Sequence, residues 1–327
     1  MDLRQAAQSI IDISARNLAW ALALCGADHQ LRQEVEALWS LDLTTPLHQN
    51  PTSMDDDPLT PGATLGGRFR IIRELGHGGT GTVYQADDET GRPVALKVAY
   101  PGAEVAAGTC PLRAEYAAAS RVQQPNIRRV DELFTLEPRN RRAVQVLVME
   151  YIEGETLAAR LARGPLASAD LTRIAHALAA GLDAIHAAGL VHGDLKPGNI
   201  LLRADLTPVI VDLGNCGTAA SPDYMSPEQF RGLPTAPADD IFALGAILYE
   251  MATGTRPWPK EEILPAAIRR ATEDVPGLTG DLPTGYADAV KAALNRNPNH
   301  RPRTATEAVR EIGQPRAARP CRHRSRP

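Results

Sequence analysis

Apolar and polar residues alternate over Phe69-Arg70-Ile71-Ile72-Arg73, again over Thr82-Val83-Tyr84-Gln85-Ala86, and again over Pro93-Val94-Ala95-Leu96-Lys97-Val98, with turn chemistry from Asp87 to Arg92. This period of two predicts three successive strands. Upstream the period is helical: Ile10, Ile13, Leu18 and Leu22, then Leu31, Val35 and Leu38, with Gly26 as a break and Asp28 as a cap. From Thr44 to Gly67 the pattern gives way to Thr, Pro, Asp and Gly, which predicts a linker. Beyond the strands, an Ala-rich helix is predicted over residues 111–122 and a strand over 144–152. A helix capped by Ser168 then carries Leu171, Ile174, Leu178, Leu182 and Ile185 on one face and ends at Gly189. Ile200-Leu201-Leu202 and Pro208-Val209-Ile210-Val211 read as short strands, and Asp240 to Gly245 opens an apolar helix closed by Thr253-Gly254 and Pro257-Trp258.

Composition narrows this picture only at a few points. Of the 327 residues 43% are hydrophobic but 4% aromatic, so the cores are expected to be built from Leu, Ile, Val and Ala. A net charge of −4 gives no basis for a nucleic-acid partner. Arg316, Arg319, Arg322, Arg324 and Arg326, interleaved with prolines, make residues 313–327 a basic tail expected to be disordered. The four cysteines, Cys25, Cys110, Cys216 and Cys321, are too scattered for a disulfide framework or a zinc site and predict reduced thiols in a cytoplasmic protein. The apolar run ending at Cys25 fails as a lipoprotein signal, because Asp2 and Asp12 stand where a basic leader belongs and Leu24 precedes the cysteine. No apolar stretch approaches the roughly 20 residues of a membrane span.

Two polar stretches carry chemistry. Gly76-His77-Gly78-Gly79-Thr80-Gly81 lies between the first two strands, where its glycines let backbone N–H groups approach phosphates. A dinucleotide-binding unit needs a helix after such glycines, and here a strand follows. His192-Gly193-Asp194-Leu195-Lys196-Pro197-Gly198-Asn199 places a carboxylate, an ammonium and an amide in one short loop. That set suits phosphoryl transfer: Asp194 to orient a hydroxyl and take its proton, Lys196 to neutralise charge on the moving group, Asn199 to ligate a metal ion.

With these motifs in this order, residues 68–312 resemble a eukaryotic-like bacterial serine/threonine protein kinase. The resemblance implies an α+β, bilobed protein-kinase-like fold, with a β-rich N-lobe over about residues 68–149 and an α-helical C-lobe over about 153–312. Residues 1–44 would form a helical N-terminal extension and 45–67 the linker. It implies ATP as cofactor with Mg2+ or Mn2+, and a protein substrate bearing a Ser or Thr acceptor. Lys97, in Val-Ala-Leu-Lys, would hold the α- and β-phosphates and be fixed by Glu115. Leu75, Gly76, Gly78 and Gly81 would cover the nucleotide, and Val83, Ala95 and Leu201 would sandwich the adenine. Met149, Glu150 and Ile152 match the gatekeeper and hinge. Asp194 and Lys196 would be catalytic, and Asn199 and Asp212, of Asp212-Leu213-Gly214, would hold the metal. Asp240 would anchor the catalytic loop, Arg301 would pair with Glu228, and Ser221 would line the acceptor-binding loop. Oligomeric state has no signature in the sequence.

Two departures stand out. Gly193 occupies the place where most of these kinases carry an Arg that binds activation-loop phosphate, and the segment from Asp212 to Glu228 is short. Both point to a kinase that is not switched by loop phosphorylation. Two rival readings share the fold. A small-molecule kinase also uses His-Gly-Asp, but Ser226-Pro227-Glu228, Asp240 and Arg301 speak against it. A pseudokinase binding module is opposed by the presence of Lys97, Asp194, Asn199 and Asp212 together.

Overall fold

A computed structural model of the protein describes residues 59–78, 81–99, 111–136, 143–213, 221–258 and 263–314. The helices expected within residues 1–44 and the tail beyond Gln314 lie outside the described residues.

The alternating stretches form an antiparallel sheet of six strands in the order β1-β2-β3-β4-β6-β5. These are β1 (Thr64–Leu65), β2 (Phe69–Gly78), β3 (Gly81–Asp87), β4 (Pro93–Ala99), β5 (Val130–Leu136) and β6 (Val144–Glu150). Successive side chains point to opposite faces, so the sheet has two apolar surfaces. Leu65, Phe69, Ile71, Val94, Leu96, Val98, Val146 and Val148 pack on one. Ala95, Ala99, Leu147 and Met149 pack on the other with Leu112 of helix α1 (Pro111–Ala119).

Three differences from the sequence expectation appear here. The sheet starts inside the stretch read as linker: Leu65 is buried and pairs with Phe69 across a turn at Gly66 and Gly67, both at positive φ. One buried apolar residue among Thr, Pro and Gly leaves no periodic trace. The glycine cluster is not all loop, because β2 runs through Gly76 to Gly78 and pairs Gly78 with Gly81, while Gly79 and Thr80 lie outside the described residues. Gly81 has a packing reason to be glycine, since a Cβ there would run into the Val98 carbonyl oxygen. Strand β5 was not foreseen at all.

The C-terminal lobe is helical. Its core joins α3 (Ser168–Ala187) to α5 (Pro237–Thr253), α7 (Tyr286–Ala293) and α8 (Ala305–Val309), with α2 (Leu157–Leu161), α4 (Pro227–Phe230) and α6 (Ile263–Thr272) around them. Helix α3 buries the five apolar residues foreseen from its period, but Ser168 is its first helical residue and does not cap it. Gly189 ends it as expected, at φ +72°. Helix α5 is buried on nearly all sides, which makes it the rigid post of the lobe. A three-stranded sheet of β7 (Gly154–Thr156), β8 (Ile200–Arg203) and β9 (Pro208–Ile210) lies at the junction of the lobes.

Candidate active site

In β4 the period of two turns Val94, Leu96 and Val98 to one face and Ala95, Lys97 and Ala99 to the other, toward α1. In α1, Leu112, Glu115 and Tyr116 share a face at spacings of three and four. Leu112 and Tyr116 join the Ala95 cluster, so Glu115 is carried to Lys97. Lys97 Nζ lies 2.7 Å from Glu115 Oε2, with side chains 6% and 3% exposed. Burial alone drives the Lys97 ammonium down, yet the carboxylates of Asp212 and Glu115 outweigh it and hold Lys97 above its ordinary value. Burial pushes the Glu115 carboxyl up against the pull of Lys97. We assign the ionised pair, because a buried lysine that keeps its proton requires a facing anion.

The same ammonium is 3.4 Å from Asp212 Oδ1, which also receives the Arg128 guanidinium at 3.2 Å. Burial raises the Asp212 carboxyl, and Lys97 and Arg128 more than offset it, leaving Asp212 below the usual carboxylate range. Asp212 adopts φ +61°, a left-handed conformation that costs a non-glycine residue energy and is found where surrounding contacts enforce it.

The loop from His192 to Asn199 hangs from α5. Asp240 takes the His192 N–H on Oδ2 and the Gly193 N–H on Oδ1, both at 2.9 Å, and also faces His186 Nε2 at 2.8 Å. His192 Nε2–H donates to the Val211 carbonyl, which leaves Nδ1 to accept the Asp194 N–H. One buried imidazole thus ties the loop to the residue before Asp212. Asp194 is held at both oxygens: Lys196 Nζ donates to Oδ2 at 2.7 Å and the Ser221 N–H to Oδ1 at 2.8 Å. Lys196 also donates to Ser221 Oγ at 2.7 Å. Asn199 Nδ2 donates to the Asp194 carbonyl, which turns the amide oxygen the other way, and its own carbonyl accepts from Val211 N–H. Asn199 and Asp212 therefore offer an amide oxygen and a carboxylate from the two sides of the β8–β9 hairpin. Two hard oxygen donors suit a magnesium-like ion that keeps waters and shares phosphate oxygens.

Of the residues expected around a nucleotide base, Val83 and Ala95 join Met149 in one apolar cluster, and Leu201 packs with Ile152 in another that includes Val209 and Val211. Glu150 donates its N–H to the Arg129 carbonyl and pairs through its carboxylate with Arg203 at 2.6 Å. Leu75 is 39% exposed, unusual for a large apolar side chain in a strand. Arg301 does meet Glu228, at 2.7 Å, with its side chain fully buried.

Sequence reasoning missed four contributors. Arg128 follows Pro125-Asn126-Ile127, and nothing in its neighbours announces a partner 84 positions away. Gln229 donates to the Gly193 carbonyl at 2.8 Å while completing the cap of α4 with Ser226. Arg256 pairs with the Asp223 carboxylate, and Arg270 donates to the Asp223 carbonyl at 2.6 Å.

A β-rich lobe bearing a lysine–glutamate pair, set over a helical lobe bearing an aspartate, a lysine, an asparagine and a second aspartate at the junction, defines a protein of the kinase fold. The protein kinase domain family matches residues 69–311, and the chain belongs to that family. Members use ATP and a divalent metal. The chain is 32% identical over 280 residues to the serine/threonine-protein kinase PknA of Mycobacterium tuberculosis, covering 79% of this chain and 63% of that protein. It is 37% identical over 268 residues to the probable serine/threonine-protein kinase PkwA of Thermomonospora curvata, covering 76% of this chain and 34% of that protein. It is 34% identical over 268 residues to the serine/threonine-protein kinase PknL of M. tuberculosis, covering 75% of this chain and 64% of that protein. The chain thus spans between a third and two thirds of the length of these relatives. No described helix is long and apolar enough to cross a membrane.

Proposed function

We propose that this chain transfers the γ-phosphoryl group of ATP to serine or threonine hydroxyls of proteins, and that it does so without phosphorylation of its own activation segment. The observation that carries the reading is the unbroken set of contacts from Glu115 through Lys97 to Asp212, which joins the two lobes across the cleft.

In this reading Lys97, held by Glu115, orients the α- and β-phosphates. Leu75, Gly76, Gly78 and Gly81 cover the nucleotide, Val83, Ala95 and Leu201 enclose the base, and the backbone from Met149 through Glu150 to Ile152 reads its edge. Asn199 and Asp212 hold magnesium or manganese, which when bound neutralises charge on the phosphates. The Asp194 carboxylate accepts the proton of the acceptor hydroxyl late in the reaction, and Lys196 stabilises the phosphoryl group in flight. The scattered cysteines support a reaction in the cytoplasm. Most of the acceleration comes from positioning and preorganised charge.

Independence from phosphorylation is supported by what holds the acceptor side. The family's switch recruits an Arg beside the catalytic Asp to a phosphate, and here that residue is Gly193. Unphosphorylated contacts secure the end of the segment instead: Ser221 on Asp194 and Lys196, Asp223 on Arg256 and Arg270, and the Tyr224 hydroxyl on Glu250 Oε2 at 2.6 Å. Arg270 is itself buried over the rings of Phe230 and Trp258, at 5.4 and 5.1 Å.

The test is transfer of labelled phosphate from magnesium-ATP to a Ser/Thr protein substrate. Asp194→Asn should lose about 10²- to 10⁴-fold in rate, the range for a general base. Undiminished transfer by that variant would remove Asp194 from the mechanism.

A further inference from the structure

Arg128 is a charged residue in the cleft to which the mechanism gives no task. It lies on the loop between α1 and β5, and that loop is fastened to β9. The Arg128 N–H donates to the Ile210 carbonyl at 2.9 Å, the Ile210 N–H donates to the Asn126 carbonyl at 2.7 Å, and Asn126 Nδ2 donates to the Pro208 carbonyl at 2.8 Å. Its root is therefore fixed beside the strand that ends two residues before Asp212. The guanidinium is 8% exposed as a residue and reaches Asp212 Oδ1 at 3.2 Å, the oxygen that Lys97 also approaches at 3.4 Å.

The charges of this cluster balance without any metal. Two carboxylates, Glu115 and Asp212, face two cations, Lys97 and Arg128. Without Arg128, a single lysine would serve both acids, and the cleft would present a net negative charge to a polyanionic nucleotide. Arginine suits the place, since its guanidinium stays charged on burial and is weakly hydrated.

We propose that Arg128 is a tethered counter-cation that stands in for part of the charge of the divalent metal at Asp212, so that nucleotide binding depends on metal less steeply than Lys97 alone would allow. Two effects act in one direction. Arg128 lowers the repulsion between Asp212 and a metal-free triphosphate, and it competes with a metal for the Asp212 carboxylate. Removing it should weaken metal-free binding and strengthen the pull of the metal. This inference rests on the nucleotide-binding reading above.

The quantity to measure is a ratio: the dissociation constant for ATP in EDTA divided by that in saturating magnesium, by calorimetry on the full chain. Because it is a ratio, a general loss of affinity or stability cancels. Arg128→Met should raise it by about tenfold or more, the size of shift expected from one charge a few ångströms away in a partly buried site. Arg128→Gln takes the place of the methionine variant if that one does not fold, and Arg128→Lys, which keeps the charge, should stay within about threefold of the parent. An unchanged or smaller ratio in a folded Arg128→Met protein, or a lysine variant shifted as far as the methionine one, would overturn the proposal and leave Arg128 a packing residue. If the parent bound no ATP in either condition, the nucleotide-binding reading would fall as well.

Discussion

At the scale of single residues, Gly193 is fitted to its place through its backbone. Its φ is +76°, its N–H donates to Asp240 and its carbonyl accepts from Gln229. A Cβ on it would lie 3.3 Å from Thr235 Cγ2. An L residue there costs about 1–2 kcal/mol of left-handed strain. Gly193→Ala is therefore expected to lower unfolding free energy by about that amount, read as a shift in urea midpoint, with the fold unchanged. A variant as stable as the parent would show that this backbone is free to relax. The roles of Lys97, Asp194, Asn199 and Asp212 are proposed, but that they would lie near one another was legible, because the motif that carries each of them is local. Arg128 was not, since its meaning comes from a carboxylate brought to it by the fold.

Elements with strong periodicity were legible for the same physical reason. Strands β2 to β4 and helices α3 and α5 bury one face or nearly all of their surface, and that burial is written in their apolar positions. Strand β5 is at the sheet edge, none of its residues is fully buried, and a bulge between Val130 and Glu132 breaks the alternation. Helices α2, α4 and α8 are too short to show a period. The end of the activation segment is an element-scale device, because Asp223 and Tyr224 join it to Arg256, Arg270 and Glu250. Asp223→Ala should raise KM for the protein acceptor several-fold and leave KM for ATP near its parental value. Equal effects on both substrates would mean that these contacts steady the whole lobe and not the acceptor side.

Across the whole molecule the two lobes meet through charges, through hydrogen bonds from the Asn126–Arg128 loop to β9, and through Ala119, Val122 and Ile127 packed on the C-lobe core. Lys97 and Arg128 reach Asp212, Arg203 reaches Glu150, and Ile127 bridges to Ile210. Below them, Arg301 and Glu228 tie the end of the activation segment to the C-lobe core, as the sequence foretold. Arg301 also donates to the carbonyls of Asn295 and Ala238. Arg301→Met leaves the buried Glu228 carboxylate with only the exposed Arg231, at 3.2 Å, and strands those carbonyls, for which a loss of about 3 kcal/mol in unfolding free energy, the low end for a broken buried pair, is expected. A loss below about 1 kcal/mol, the range of an exposed pair, would place the interaction at the surface in solution.

The catalytic arrangement is proposed to be complete without phosphate on the activation segment. The most direct test is the initial rate of Ser/Thr substrate phosphorylation by protein stripped with a phosphatase, freed of the phosphatase and verified phosphate-free by mass spectrometry. Full activity from the first turnover, equal to that of autophosphorylated protein and abolished by Asp194→Asn, is the result expected. A lag that ends only when Thr218 or Ser221 acquires phosphate, or a stripped protein with no activity, would contradict it.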